Sequence, residues 1–193
     1  MLIDITQGLL TAKVYPGDPA PRLTALQRMD EGALYNLSAL SLCVHNGTHV
    51  DAPFHFLAEG ETVERLPLER FVGDCFLARC EGEVTAAEAS AILARARAAG
   101  ADRRILIAGD AVVTEAAAQV FAKAALWLLG NESQTVGPPT APMAVHRILL
   151  GAGTVLLEGV VLTGLAEGKY FLNAAPLSLA GADGAPCRAW LLV

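Results

Sequence analysis

The sequence predicts an α/β fold, a single domain built on a mixed sheet with a few helices, and three observations carry that expectation. Strand-like segments run from the first residues to the last, the helical period is confined to the stretch between Thr85 and Gly151, and 193 residues is below the length at which cores split. Many strands with two or three helices fit a mixed sheet better than a strictly alternating doubly wound one.

In chain order, "LIDI" is a short strand, and "YPGDP" at 15–19 is a turn, because proline presets φ and Gly17 tolerates positive φ. From Arg22 to His49 the chain is rich in β-compatible segments, with "LYNLSALSLCV" leading into a histidine cluster. "FVGDCFLARC" is a further strand. In "TAAEASAILARARAAG", Thr85 and Glu88 have capping-box spacing and Gly100 can end the helix. "RILIAG" is a buried strand, "TEAAAQVFAKA" a helix starting after Thr114, and "ALWLLG" a strand. A short helix over "APMAVHRILL" carries His146, and strands "TVLLEGVVL", "KYFLNAAPLSL" and "CRAWLLV" follow.

Composition narrows the function. A hydrophobic fraction of 53% supports a large core, yet no uncharged run is long enough to span a bilayer. Net charge is −6 and the Lys and Arg residues form no cluster, which argues against a nucleic-acid partner. The opening "MLIDITQGLL" has no basic leader or cleavage pattern, so the expected location is cytoplasmic. Cys43, Cys75, Cys80 and Cys187 match neither a C-x-x-C pair nor a dense disulfide framework, and four reduced thiols, mostly in the core, are expected.

The chemistry concentrates in "CVHNGTHVDAPFHF", Cys43 to Phe56. His45, His49, Asp51 and His55 are all at odd positions, whereas Val44, Val50, Ala52, Phe54 and Phe56 are at even ones, so an extended chain offers one polar and one apolar face. A straight strand would leave His45 and His55 about 33 Å apart, at roughly 3.3 Å per residue. The segment must therefore bend, and Gly47 and Pro53 are where it can. Any single histidine is ordinarily a surface or hydrogen-bonded residue, but four donors of one parity point to a metal of the zinc, manganese or iron kind. Glu158, inside the apolar "TVLLEGVVL", needs a partner if buried, and His146 stands twelve residues before it, within reach of the same place. A salt-bridged Glu158 and a surface His146 are the ordinary alternatives. Tyr15 and Phe54 are candidate walls of a substrate pocket, Asp18 is a turn residue that could line it, and Cys43 belongs with the core.

"HNGTHVDAPFH" fills every fixed position of H-x-G-T-H-x-D-x-P-x-H and so resembles the cyclase family of metal-dependent hydrolases, which includes bacterial kynurenine formamidase and isatin hydrolase. "YPGDP", "GNESQTVGPP", "HRILLGAGTVLLEG" and "PLSLAGADGAPCRAWLL" resemble further family segments, so the likeness spans essentially the whole chain. The resemblance implies a swivelling β/β/α arrangement, and two divalent ions per chain, zinc first and manganese second. On that pattern His45 and His49 hold one ion and His146 the other, Asp51 and Glu158 bridge both, and His55 serves as general acid and base. It further implies a homodimer or higher oligomer that hydrolyses an amide-type bond of a small molecule, with N-formylkynurenine first and cyclic amides, imides or lactones as alternatives. The sequence departs from the family at "LIAGD", at Glu132 and Gly137, and at Tyr15, where kynurenine-specific relatives carry tryptophan; these changes are expected near substrate contacts. Two rivals remain at this point. His49, Asp51 and His146 imitate the ligand triad of a mononuclear iron oxygenase, and the chain could hold metal without catalysis.

Overall fold

The structure, a computed structural model, describes residues 1–193. Strands β1 (Leu2–Asp4), β2 (Arg22–Gln27), β3 (Leu37–Ser41), β4 (His49–Asp51), β5 (Val72–Arg79) and β6 (Gly82–Val84) precede helix α1 (Ala86–Ala98). Then come β7 (Arg104–Ala108), β8 (Ala111–Val113), α2 (Glu115–Lys123), β9 (Leu128–Asn131), α3 (Met143–Gly151) and β10 (Val155–Glu158). β11 (Gly168–Asn173), β12 (Gly184–Pro186) and β13 (Trp190–Leu192) complete the chain.

Nine strands form one sheet in the order β1-β13-β11-β5-β7-β9-β10-β4-β12. Its centre is parallel, β5 to β7 to β9 to β10, because each of these steps crosses over through a helix. Both flanks are antiparallel, so the sheet is mixed. It also curls. Thr6, beyond β1, bridges Val160, beyond β10, and the Val161 N–H donates to the Ile5 carbonyl at 2.9 Å.

Curling gives the sheet an inside and an outside. Outward residues such as Ile105, Ile107 and Leu129 pack on α1, α2 and α3, while Leu77, Leu106, Leu128 and Leu157 face inward with Val50 and Leu191. The result is the expected β/β/α layering. It explains why "RILIA" reads as an unbroken apolar run: both faces of β7 are buried, so no alternation can appear. Truncating an inward side chain such as Leu106 to alanine costs about 2–5 kcal/mol.

The helices begin where their caps place them. The Thr85 hydroxyl accepts from the Glu88 N–H at 3.2 Å, the Glu88 carboxylate accepts from the Thr85 N–H at 2.8 Å, and at α2 the Thr114 hydroxyl accepts from the Ala117 N–H at 3.2 Å. The strand ends differ from the sequence expectation. "TVLLEGVVL" stops being strand at Glu158, because Gly159 turns the chain at φ +68, and a Cβ there would lie 2.7 Å from the Gly47 carbonyl oxygen. The strand before the histidine cluster likewise ends at Ser41, leaving His45 in a turn.

β2 and β3 pair only with each other, and every residue of both strands is exposed. Leu23, Leu26, Met29, Leu34, Tyr35, Leu37 and Leu40 all face solvent along this ribbon. An isolated two-stranded ribbon is marginal in water.

Candidate metal centre

The site is assembled by the pairing of β4. That strand lies between β10 and β12, with His49 opposite Glu158 and Asp51 opposite Gly184. A directly opposed cross-strand pair brings its side chains together whatever their separation in sequence, and this register is what makes Glu158 a neighbour of His49. The pleat puts His49 and Asp51 on one face and turns Val50 fully into the core. Gly47, at φ +66, folds the preceding residues back so that His45 Nδ1 lies 2.9 Å from Asp51 Oδ1. Pro53 ends the strand and opens a 3-10 turn, Pro53–His55, that carries His55 toward His45, with ring centroids 4.0 Å apart. His146 arrives from α3, its Nε2 3.2 Å from Glu158 Oε1.

Distances among the donors separate into two sets. His49 Nε2 lies 3.4 Å from Asp51 Oδ1 and 3.6 Å from Glu158 Oε2. His146 Nε2 lies 3.5 Å from Asp51 Oδ2 and 3.2 Å from Glu158 Oε1. Each carboxylate thus turns one oxygen to each imidazole. Ligand atoms about 2.0–2.2 Å from a tetrahedral ion stand roughly 3.3–3.6 Å from one another, so this spacing suits donors around a cation better than direct hydrogen bonds. The ligand atoms of the first set, His49, Asp51 and Glu158, all lie within 4.8 Å of one another, and one further grouping, His45 with Asp51 and His55, converges as closely.

Three more observations fit a divalent metal. His49, Asp51, His146 and Glu158 are each no more than 3% exposed, a costly burial of ionisable groups without a compensating ion. Asp51 Oδ2 is buried with no hydrogen-bond partner. Nδ1 of His49 faces the Gly47 carbonyl at 3.0 Å and Nδ1 of His146 the Pro142 carbonyl at 2.9 Å, which fixes Nδ1–H on each ring and turns the lone pair of Nε2 to the carboxylates.

Without metal, protons take the place of cations. Burial opposes a charged His49, but Asp51 and Glu158 outweigh it and push the ring up to about 10. Burial also opposes a charged His45, yet Asp183 and Asp51 raise it to about 9. His146 is raised as well, by Glu158 and Asp51 against its desolvation. Burial alone would raise Asp51, but hydrogen bonds and charge from His45 and His49 hold it well below the usual carboxylate range.

A cavity of about 240 Å³ opens onto these groups, and Tyr15, Asp18, His55 and Thr135 border it. Tyr15 is at the cavity wall, its hydroxyl donating to the Pro139 carbonyl at 3.3 Å. Phe54 is not: it is 39% exposed, and the aromatic wall is Phe56, 4.8 Å from the His146 ring and 4.5 Å from the His55 ring. Alternation would give Phe54 and Phe56 the same face; the 3-10 turn Pro53–His55 ends it and separates the two rings. Asp18 is a turn residue that also lines the cavity, and it accepts from the Cys43 thiol at 3.6 Å. Of the family departures, only Tyr15 borders this cavity. Glu132 instead ties loops together, accepting from the Gly109 and Leu162 N–H groups.

Sequence reasoning passed over Asp183. Its Oδ2 accepts from His45 Nε2 at 2.8 Å and from His55 Nδ1 at 3.0 Å. The signal was present in "AGADGAP": a lone acidic residue, followed at once by glycine and set two residues after another, in a turn-forming stretch.

A curled mixed sheet that gathers imidazoles and carboxylates between β4, β10 and α3 defines an α/β protein with a candidate divalent-metal centre. The chain belongs to the Cyclase family, whose model, described as "Putative cyclase", matches residues 3–157. Kynurenine formamidase of Salinibacter ruber is 34% identical over 210 residues, covering 98% of this chain and 96% of that protein. A solved structure described as a potential metal-dependent hydrolase with cyclase activity superposes with a TM-score of 0.83 at 28% identity, covering 99% of this chain and 96% of the other. An isatin hydrolase bound to the product analogue thioisatinate shares the fold, with a TM-score of 0.84 at 18% identity over 100% of this chain and 92% of that one.

Proposed function

We propose that this chain is a metal-dependent hydrolase that opens an amide-type carbon–nitrogen bond of a small molecule, with N-formylkynurenine as the first substrate to test. The observation that carries this reading is the division of Asp51 and Glu158, each with one oxygen toward His49 and one toward His146. Two divalent ions per chain are the natural occupants, zinc first and manganese second. His45 and His49 would hold one ion and His146 the other, and Asp51 and Glu158 would be shared between them. A mononuclear oxygenase centre would employ His49, Asp51 and His146 alone and leave Glu158 buried without a task.

When bound, the ions supply Lewis acidity, lowering the pKa of water from 15.7 toward about 7 and polarising a carbonyl. The protein's own groups do the rest. His55, with Nδ1 engaged by Asp183, takes a proton from the attacking water at Nε2 and returns it to the departing nitrogen. Tyr15 and Phe56 form the walls that orient a flat substrate. The Thr135 hydroxyl, buried and without a protein partner at the cavity wall, is available to a polar substituent.

His55→Ala should retain metal and lose about 10²- to 10⁴-fold in turnover. Metal analysis and kinetics on N-formylkynurenine check both halves, and full turnover in the variant would remove His55 from its role. A second reading, hydrolysis of a compact cyclic amide such as isatin, is favoured by the cavity of about 240 Å³, below the roughly 300–1,000 Å³ usual for ligand sites. Parallel assays on the two substrates separate them. The family resemblance and the exposed β2–β3 ribbon support a homodimer, and the cytoplasm is the expected compartment; no helix is long and apolar enough to cross a membrane.

A further inference from the structure

We infer that Asp183 is a positioning residue of this site, one whose carboxylate sets the ring orientation and tautomer of His55 and locks that ring to His45. The inference deepens the proposed function, since it rests on His55 as the group that moves the proton. Its basis is that a single oxygen, Oδ2, meets His45 Nε2 at 2.8 Å and His55 Nδ1 at 3.0 Å, both within ordinary hydrogen-bond range. A carboxylate can only accept. Nδ1 of His55 must therefore carry a hydrogen, which leaves Nε2 of the neutral ring as the lone pair that receives a proton. The same oxygen takes the Nε2–H of His45 and turns its Nδ1 to Asp51, the arrangement in which an outer carboxylate orients a metal-binding imidazole.

Asp183 is held in register with the cluster it serves. Its carbonyl accepts from the Ala52 N–H at 2.9 Å, and the next residue, Gly184, stands opposite Asp51 in the β12–β4 pair. Close approach depends on that glycine: a Cβ at 184 would lie 2.6 Å from the Val50 carbonyl oxygen and 2.8 Å from Cε1 of His45. The two imidazoles it joins are in contact, ring centroids 4.0 Å apart and tilted by 33°, so a displacement of either ring is felt by the other. At 38% side-chain exposure, Asp183 is no part of the core, and its removal should leave the fold intact.

Assayed with zinc at saturation, so that a weaker hold on the ion through His45 is made up, Asp183→Ala is expected to lower kcat by about 10- to 100-fold, the usual cost of losing an outer partner, with KM little changed. Asp183→Asn, which keeps an acceptor oxygen, should recover much of the loss. In a double-mutant cycle, also at saturating zinc, adding Asp183→Ala to His55→Ala should cost nothing further, because the effect through His45 on zinc is then made up and the remaining one acts only through His55. The substrate is whichever of N-formylkynurenine and isatin the parent chain hydrolyses. An independent measurement needs no substrate: ¹⁵N NMR of the metal-free protein, with His55 neutral, should show Nδ1–H in the parent and a shift toward Nε2–H in Asp183→Ala. Unchanged kcat, multiplying losses in the double variant, an unaltered tautomer, or a loss of activity that saturating zinc fully restores would each overturn the inference. Full turnover in His55→Ala would instead overturn the role of His55, while the tautomer measurement still judges Asp183.

Discussion

Gly47, Asp51 and Gly184 show how much the site owes to single residues. Gly47 returns His45 onto Asp51, Asp51 divides its oxygens between two imidazoles, and Gly184 leaves the space in which the His45 ring stands. Gly184→Ala puts a methyl group against the Val50 carbonyl, a backbone atom that cannot rotate away. It is expected to cost about 1–3 kcal/mol as overpacking and to weaken zinc uptake through displacement of His45. Thermal denaturation and zinc titration of the variant check this, and parent-like values in both would mean that the strand pair is softer than its hydrogen bonding implies. At this scale the sequence was informative because each donor type is chemically distinctive. Phe54 was misplaced because aromatic residues two apart differ only in where a turn sends them, and Asp183 was passed over because one aspartate in a turn looks like any other.

Among the elements, the helices were the most legible. Thr85 with Glu88, and Thr114, satisfy helix ends through local hydrogen bonds that need no distant partner, so sequence spacing suffices to find them. Strand ends were less legible: the strand containing Glu158 stops at Gly159 because the chain must turn beside Gly47, a contact over long sequence distance. The separation of β2 and β3 from the main sheet, with every residue exposed, is the other unforeseen feature. The exposed leucines of this ribbon are expected to be covered in a homodimer, so Leu23→Ser with Leu40→Ser should move the chain toward monomer in analytical ultracentrifugation. An unshifted sedimentation profile would mean that the ribbon is not an interface between copies. The ribbon leads into the histidine cluster, with Ser41 and His45 separated by one short turn.

For the molecule as a whole, protons and metal compete for the same lone pairs. In the metal-free fold His45 is raised to about 9 and His49 to about 10, against about 6.5 for an unfolded histidine. Groups raised in the folded state contribute stability that is complete below about pH 6.5 and is lost as pH climbs through 9 to 10. The melting temperature of chelator-treated protein should therefore fall across that window. Metal needs the deprotonated rings, so binding releases protons and the stabilisation by zinc should grow over the same range. Scanning calorimetry with chelator and with zinc measures both slopes, and a metal-free profile flat from pH 7 to 10 would contradict the ion pairing of these histidines.

By itself the sequence determined the fold class, the helix starts and which imidazoles and carboxylates are candidates to hold a metal, because these depend on local hydrogen bonding, on periodicity and on the chemistry of imidazole and carboxylate. Only the tertiary structure decided that Glu158 faces His49 across β10 and β4, that Phe56 rather than Phe54 lines the cavity, and that Asp183 joins His45 to His55. Those facts depend on strand register and on the turns between elements, which are fixed by the burial of both sheet faces at once, and no local stretch of chain contains that information.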